Sequence, residues 1–174
     1  DEDEPESLEQ LWALVDEEAF YRFWALEGLL SFWDGYSGNR NNFFIYLNPE
    51  DDLIHFIPWG ADSMFETVSP LGQNPSAPLS VRGVGMIANR LYRIPSARRK
   101  YMNTIRELIA EHWNEEELLA ETERIEELLT PHLSRTQKWR VDFDTIRRFI
   151  RERRNAIDPE IFGEEMPNWT FKVE

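Results

Sequence analysis

The sequence predicts an α+β domain that is mostly helical and contains one embedded β-hairpin. Three observations support this prediction. Apolar residues recur at helical spacing from 8 to 32, and again from 85 to near the end of the chain. Two short runs rich in aromatic and β-branched residues lie between these segments, at 43–47 and 53–59. The turn-forming stretch 48–52 separates the two runs, so we expect them to pair as an antiparallel hairpin.

The first helical segment should form one or two helices that are interrupted near Asp16. Aspartate is a favourable N-cap, and Glu17 and Glu18 after it would suit the positive end of a helix dipole. The apolar side chains of this segment repeat every three or four residues, as in a helix with one buried face. The side chains expected on that face are Phe20, Phe23, Trp24, Leu26 and Leu30.

The second half of the chain predicts four longer helices, with Pro131 and Pro159 lying beyond helix ends. The expected helices cover 86–93, 95 to about 112, 115–129 and 143 to about 156. Between the hairpin and these helices, residues 66–83 contain three Pro together with Ser and Gly. We expect them to form a long irregular loop, a kind of segment that is usually functional or mobile.

Size and composition indicate one packed domain. The chain has 174 residues, of which 41% are hydrophobic, and seven are Trp. We expect an acidic flexible lead at 1–7, a helical lobe at 8–157 and a tail at 158–174. The net charge of −14 argues against nonspecific binding to nucleic acid or to an anionic membrane. There is no cysteine for disulfides or thiolate metal sites, and no apolar run approaches the length of a membrane span.

The most informative run begins at Trp33 and continues through a polar loop into the first strand. The order along the chain is helix, acidic and Asn-rich loop, strand, turn, strand and a second acidic residue. Phosphoryl transfer uses a carboxylate that positions the attacking hydroxyl, and an Asn and an Asp that hold the metal on the nucleotide phosphates. The chain offers Asp34, Asn42 and Asp62 in that order around the hairpin.

The stretch WDGYSGNRNNFFIYL, followed by HFIPWGADSMF, resembles the CotH kinase family, the spore-coat-protein-H-like atypical protein kinases. The resemblance extends more loosely over most of residues 15–157, including the region 138–143. It implies a fold similar to the C-terminal lobe of a protein kinase, with ATP and Mg²⁺ as cofactors. It also implies transfer of the ATP γ-phosphate to Ser or Thr of a protein substrate. A secreted, cell-surface or spore-coat location is suggested by the family alone.

By this resemblance Asp34 is the residue that orients or deprotonates the substrate hydroxyl. The alternative is that Asp34 only caps its own turn, as Asp often does. For the metal-binding Asn, Asn39 has the spacing of an ordinary kinase catalytic loop, five residues after Asp34, whereas Asn42 immediately precedes the strand. We prefer Asn42 because its position relative to the strand fixes where its side chain points. Some of these Asn residues could instead serve as turn formers.

Asp62 is the expected metal-binding carboxylate, since carboxylate and amide oxygens suit Mg²⁺. Its alternative role is to cap a turn over 63–67. The family pattern often has another acidic residue two positions earlier, where this chain has Gly60. Arg40 and Asn39 are candidates for contact with the nucleotide phosphates, although Arg40 could equally be a surface residue paired with an acid.

A second hypothesis is a catalytically silent, kinase-like module with a structural or protein-binding role. Two observations favour it. Gly60 replaces an acid, and no strand-rich segment with a phosphate-covering loop precedes residue 8, so we expect only the C-terminal lobe in this chain. The three His residues are scattered along the sequence, which shows no clustered zinc ligands.

Overall fold

The computed structural model describes residues 4–66, 74, 76–138, 141–163 and 167–171, and this part is mostly helical with one antiparallel hairpin, as predicted. The helices are α1 Glu4–Trp12, α2 Glu17–Leu29, α3 Tyr36–Asn39, α4 Met86–Arg93, α5 Pro95–Glu111, α6 Glu115–Leu129, α7 Arg135–Lys138 and α8 Phe143–Ile161. The strands are β1 Phe43–Leu47 and β2 Ile54–Pro58, and single 3-10 turns cover Ala61–Ser63 and Thr130–His132.

Helix α2 lies at the centre of the domain. It begins where predicted, because the Asp16 side chain accepts a hydrogen bond from the Ala19 amide at 2.9 Å and caps the first turn. Its aromatic face packs on α5, with the rings of Trp24 and Tyr101 4.1 Å apart. Of the face predicted from the sequence, Phe20, Phe23 and Trp24 are buried and Leu30 is half-buried.

The prediction that Leu26 is buried was wrong. Its side chain is 40% exposed and lines the edge of an apolar cavity rather than the core. The neighbouring Glu27 is buried instead, because it lies seven residues after Phe20 and three after Trp24, on the same stripe. A change of one position along a helix rotates a side chain by about 100°, which is enough to exchange the two environments.

The hairpin packs one of its faces against α2. Strands β1 and β2 pair in register from Phe43 opposite Pro58 to Leu47 opposite Ile54. On the inner face the rings of Phe43 and Phe56 stack 5.8 Å apart, and Phe56 meets Phe20 edge to face at 5.1 Å. The packing places the start of β1 and the end of β2 beside the polar loop that follows α2.

Helix α8 is joined to the end of α2 by a buried guanidinium. Arg153 donates to the carbonyls of Gly28 and Leu29 at 2.5 and 2.7 Å, and to the carbonyl of Leu79 at 2.8 Å. These include carbonyls at the C-terminal end of α2 that have no partner within the helix. Burial lowers the pKa of Arg153 to about 10. A single side chain therefore joins α2, α8 and the segment before α4.

Helix α8 also continues further than expected, to Ile161, with Pro159 inside its last turn. Ile157 and Ile161 are both fully buried on either side of this proline, and Glu160 accepts hydrogen bonds from the amides of Leu79 and Ser80 at 2.8 Å. These tertiary contacts outweigh the one backbone hydrogen bond that proline removes. The expectation that Pro159 lies beyond the helix was therefore wrong.

The two chain ends differ in detail from the expected lead and tail. Helix α1 begins at Glu4, within the stretch expected to be flexible. At the other end, Tyr92 donates to the Pro167 carbonyl at 2.6 Å and its ring contacts Phe171, so residues 167–171 pack on α4. The division at 7 and 157 stays a prediction. Much of the expected 66–83 loop, and residues 139–140, lie outside the described residues.

The Arg153 contacts predict a large loss of stability on truncation. Arg153→Ala would remove this donor from the Leu29 and Leu79 carbonyls and leave the Gly28 carbonyl only backbone amides as donors. The free energy of unfolding should therefore fall by about 3 kcal/mol or more. Urea denaturation followed by circular dichroism measures this change. The matched control is Arg151→Ala, since Arg151 is exposed on the same helix and its removal should change stability by less than about 0.5 kcal/mol. Equal losses for the two variants would contradict the assigned role.

Candidate active site

The polar loop begins with a sharp reversal at the end of α2. Ser31 adopts a left-handed backbone with φ of 53°, and the Phe32 amide bonds back to the Glu27 carbonyl at 2.9 Å. The chain then enters the short helix α3, whose N-cap is Gly35. Asp34 lies immediately before this cap, so its position depends on where α3 begins.

Asp34 is the acceptor for a group of asparagine side chains. Its Oδ1 accepts from Asn39 Nδ2 at 2.8 Å and from Asn41 Nδ2 at 3.4 Å, while its Oδ2 accepts from Asn42 Nδ2 at 2.7 Å. The structure thus brings Asp34 together with both candidates for the metal-binding Asn. Because each Asn donates through its nitrogen, the amide oxygens of Asn39 and Asn42 remain as the atoms that could coordinate a cation.

Asn42 lies against the turn that follows β2. Its backbone is left-handed, with φ of 48°, and its carbonyl accepts from the Trp59 amide at 2.9 Å. Gly60 is also left-handed, with φ of 62°, a conformation that glycine adopts without strain. A Cβ added at Gly60 would lie 3.1 Å from Asn42 Cγ, so position 60 faces the Asn42 side chain directly. Any side chain at position 60 would therefore start within contact distance of Asn42.

Asp62 and Arg40 occupy more open positions. Asp62 is exposed in the middle of the 3-10 turn Ala61–Ser63, whose N-cap is Gly60. Its alternative role, as the cap of a turn over 63–67, extends outside the described residues and stays a prediction. Arg40 is exposed in a left-handed conformation directly after α3, with φ of 58°. The roles of Asp62 as a metal ligand and of Arg40 and Asn39 as phosphate contacts stay predictions.

Glu27 is the residue of this region that sequence reasoning missed. Only 2% of its surface is exposed, and its carboxylate oxygens accept from the amides of Tyr36 and Ser37 at 2.8 and 2.7 Å. These amides open α3, which has no side-chain cap of its own. A Cβ at Gly35 would lie 2.3 Å from Glu27 Oε1, so only glycine admits this approach. The signal was available, since helical periodicity places Glu27 on the buried stripe with Phe20.

The environment of Glu27 is largely apolar. Together with side chains of α2, β2 and the following turn it lines a cavity of about 240 Å³, whose other walls are Phe23, Leu26, Leu30, Phe32, Phe56, Pro58 and Met64. Burial raises the pKa of the Glu27 carboxyl to about 7, although the hydrogen bonds from Ser37 and Tyr36 act in the opposite direction. Glu27 therefore changes its charge close to neutral pH.

A separate cluster of metal-capable side chains lies at the other end of the hairpin. Asp16, Asp51 and His55 bring ligand atoms within 4.8 Å of one another, with His55 Nε2 3.4 Å from Asp51 Oδ2. The sequence did not show it, because its members come from a helix cap, a turn and a strand. Surface clusters of this kind are common without a bound ion.

Comparison with known protein families gives a match over most of the chain. The family model described as CotH kinase protein matches residues 1–157. The chain belongs to the CotH kinase family. A search of curated proteins found no match. In the part of the chain that the structure describes, none of the helices is both long and apolar enough to cross a membrane.

The asparagine group predicts a measurable contribution to stability. Asn39→Ala removes a short hydrogen bond to a charged acceptor, and since Asn39 is helical the change introduces no backbone strain. We expect the free energy of unfolding to fall by about 1–2 kcal/mol in a urea titration. Asn41→Ala is the control, because its contact with Asp34 is long and exposed, and it should cost less than about 0.5 kcal/mol. A loss at Asn41 as large as that at Asn39 would be inconsistent with the geometry.

Proposed function

We propose that this CotH family member is an ATP- and Mg²⁺-dependent protein kinase that transfers the γ-phosphate to Ser or Thr of a protein. The observation that carries the proposal is the Asp34 carboxylate, held by Asn39 and Asn42 beside the turn that leads to Asp62. This is the order of groups that phosphoryl transfer uses around a hairpin. The family match supports the same reaction class.

In this proposal Asp34 orients the acceptor hydroxyl. Two short hydrogen bonds fix its carboxylate, one to each oxygen, so little freedom remains to be lost when a substrate binds. Since Oδ1 also accepts the longer hydrogen bond from Asn41, Oδ2 is the oxygen proposed to take the hydroxyl proton. Asp34 would hold the attacking oxygen in line with the γ-phosphate and take its proton as the new O–P bond forms. The bond between the γ-phosphorus and the bridging oxygen would break at the same time, with ADP as the leaving group.

We propose that Asn42 and Asp62, on the other side of the loop, hold a magnesium ion. Asn42 Oδ1 and the exposed Asp62 carboxylate are hard oxygen donors, which Mg²⁺ prefers, and an open site leaves room for the waters that this ion retains. A bound Mg²⁺ would neutralise charge on the nucleotide phosphates. Arg40 and Asn39 are the proposed contacts to phosphate oxygens from the protein.

Substitution of the two aspartates separates their proposed roles. Asp34→Asn should lower turnover by about 10²–10⁴-fold, because it removes the group that acts on the hydroxyl. It should weaken Mg²⁺-dependent ATP binding less than Asp62→Asn does, because it disturbs a hydrogen bond to Asn42 but removes no metal ligand. Asp62→Asn should weaken ATP binding and turnover together, because it removes a metal ligand. Calorimetric titration with ATP and transfer of labelled phosphate to a mixed Ser/Thr peptide library measure the two effects on the protein at its full natural length.

The control for both variants is Asp52→Asn, an exposed position in the hairpin turn whose left-handed backbone Asn tolerates. Its binding and turnover should equal those of the unchanged protein. If phosphate transfer continues at the original rate in both Asp34→Asn and Asp62→Asn, the kinase proposal fails.

Position 60 offers an independent test of the metal assignment. Gly60→Asp restores the acid found at this position in the family pattern, and its carboxylate would face Asn42. If Asp62 is the sufficient ligand, the Mg²⁺ dependence of ATP binding should change by less than about tenfold. Gly60→Asn is the matched control, since it has the same shape and a similar tolerance of the left-handed backbone without the charge. A large gain in activity specific to Gly60→Asp would transfer the ligand role to position 60.

A second candidate function is a silent, kinase-shaped binding module. The observation that favours it is the outer face of the hairpin, where Phe44, Tyr46, Ile57 and Trp59 are 44–61% exposed and Phe44 and Trp59 contact each other. Gly60 supports the same candidate because it removes an acid from the site. This function would be favoured over the kinase if neither the unchanged protein nor any of the variants above transferred phosphate, and if ATP binding were the same in all of them.

A further inference from the structure

The buried carboxylate of Glu27 connects the core to the loop that carries Asp34. It reaches from the last turn of α2 to the first two amides of α3, and it serves as the cap that α3 lacks. Asp34 is two residues before the first of these amides. The start of α3 therefore fixes the backbone of Asp34.

The C-terminal end of α3 contacts the Asp34 carboxylate directly. Asn39 is the last residue of the helix and donates to Asp34 Oδ1. A shift of α3 would thus move the backbone of Asp34 and its hydrogen-bond donor together. Further contacts hold the helix from the opposite side, since the Tyr36 hydroxyl accepts from the Ile87 amide at 2.9 Å and the Ser37 carbonyl accepts from the Val84 amide at 2.7 Å.

Glu27 occupies a position where an apolar residue would pack at lower cost. Its neighbours across the cavity are aromatic and aliphatic. Burial of a carboxylate in such surroundings costs free energy, which hydrogen bonds to the carboxylate must offset. Position 35 has to be glycine for this contact, because a Cβ there would overlap Glu27 Oε1. Ionisable side chains kept in apolar surroundings next to a reactive group are typical of functional sites.

We propose that Glu27 is a positioning residue whose carboxylate holds the start of α3 and so keeps Asp34 aligned with the acceptor hydroxyl. This inference rests on the proposed kinase function and concerns how that site is built. Because Glu27 is buried, it would act through α3 and not by contact with the substrate or the nucleotide. Displacement of a reacting group by about 1 Å can reduce a rate by about 100-fold, so the alignment of Asp34 is a quantity that the enzyme must control.

The ionisation state of Glu27 determines how strongly its carboxyl group binds the first two amides of α3. Both oxygens of the ionised form accept amide hydrogens, whereas a protonated carboxyl carries a hydroxyl that competes with one of them. The titratable groups that interact with it are Tyr36 of α3 and Tyr101 of α5, and burial raises the pKa of each tyrosine, so both are neutral near pH 7. Strand β2 and the following turn contribute Phe56, Pro58 and Met64, which do not titrate.

The test combines a structural and a kinetic measurement on the full chain. In ¹⁵N-labelled protein, the Tyr36 and Ser37 amide resonances should shift with a common midpoint near pH 7, and this titration should vanish in Glu27→Gln. Turnover of Glu27→Gln should fall by about 10–100-fold with the KM for ATP unchanged, because Gln can accept only one of the two amides. The drop in turnover of the unchanged protein below about pH 7 should also be lost.

A matched control and a second variant separate alignment from general damage. Glu107→Gln makes the same chemical change at an exposed position of α5 and should alter neither resonances nor turnover. Gly35→Ala keeps the Glu27 carboxyl but pushes it away from the amides, so it should reproduce the loss of turnover. The denaturation midpoints of all variants show that the chains are folded at the assay temperature.

The outcomes distinguish this inference from the function on which it rests. Amide resonances that do not titrate, or full turnover in Glu27→Gln while Asp34→Asn is inactive, would overturn the positioning role and leave the kinase intact. A protein that shows the amide titration but transfers no phosphate in its unchanged form would overturn the proposed function, and the catalytic part of this inference with it.

Discussion

Two buried charged side chains act on the last turn of α2, and the rest of the domain is arranged around them. Arg153 binds the carbonyls that end the helix, while Glu27 extends from the same turn to the amides of α3. Their effects on stability differ. The raised pKa of Glu27 means that its contribution to stability is greatest below about pH 4.5 and is lost as pH rises through about 7, a change on the order of 3 kcal/mol. The ionised form therefore lowers stability while it holds the loop.

Much of the fold could be predicted because local signals agreed with the tertiary structure. The cap at Asp16, the turn at 48–52 and the amphipathic repeats fixed most element boundaries to within a few residues. The predictions that were wrong, Leu26 and Pro159, depend on contacts with distant segments. Ile161 is buried by long-range packing, and Glu160 accepts hydrogen bonds from amides about 80 residues away. No local rule for proline includes such partners.

The sequence could predict the order of the candidate residues, whereas it could not predict the contacts among them. Asp34, Asn39 and Asn42 were named from their order along the chain, and the structure places them in one hydrogen-bonded group. The order could not show that both Asn side chains donate to the same carboxylate, since this requires the left-handed backbone at Arg40 and Asn42. Glu27 was missed because an acid in a helix is ordinarily exposed, although its place on the apolar stripe indicated burial.

The two halves of the proposed site differ in how firmly they are built. The half that would act on the hydroxyl is well supported. Asn39 and Asn42 donate to the Asp34 side chain, and Glu27 holds the start of α3, which follows the Asp34 backbone. The half that would hold Mg²⁺ depends on Asp62, which is exposed on a single 3-10 turn, while Gly60 leaves the position facing Asn42 without a side chain. An exposed carboxylate with fewer charged neighbours binds a divalent ion more weakly. In the proposed kinase, phosphate transfer would therefore be limited by weak binding of the metal–nucleotide complex and not by alignment of the acceptor hydroxyl.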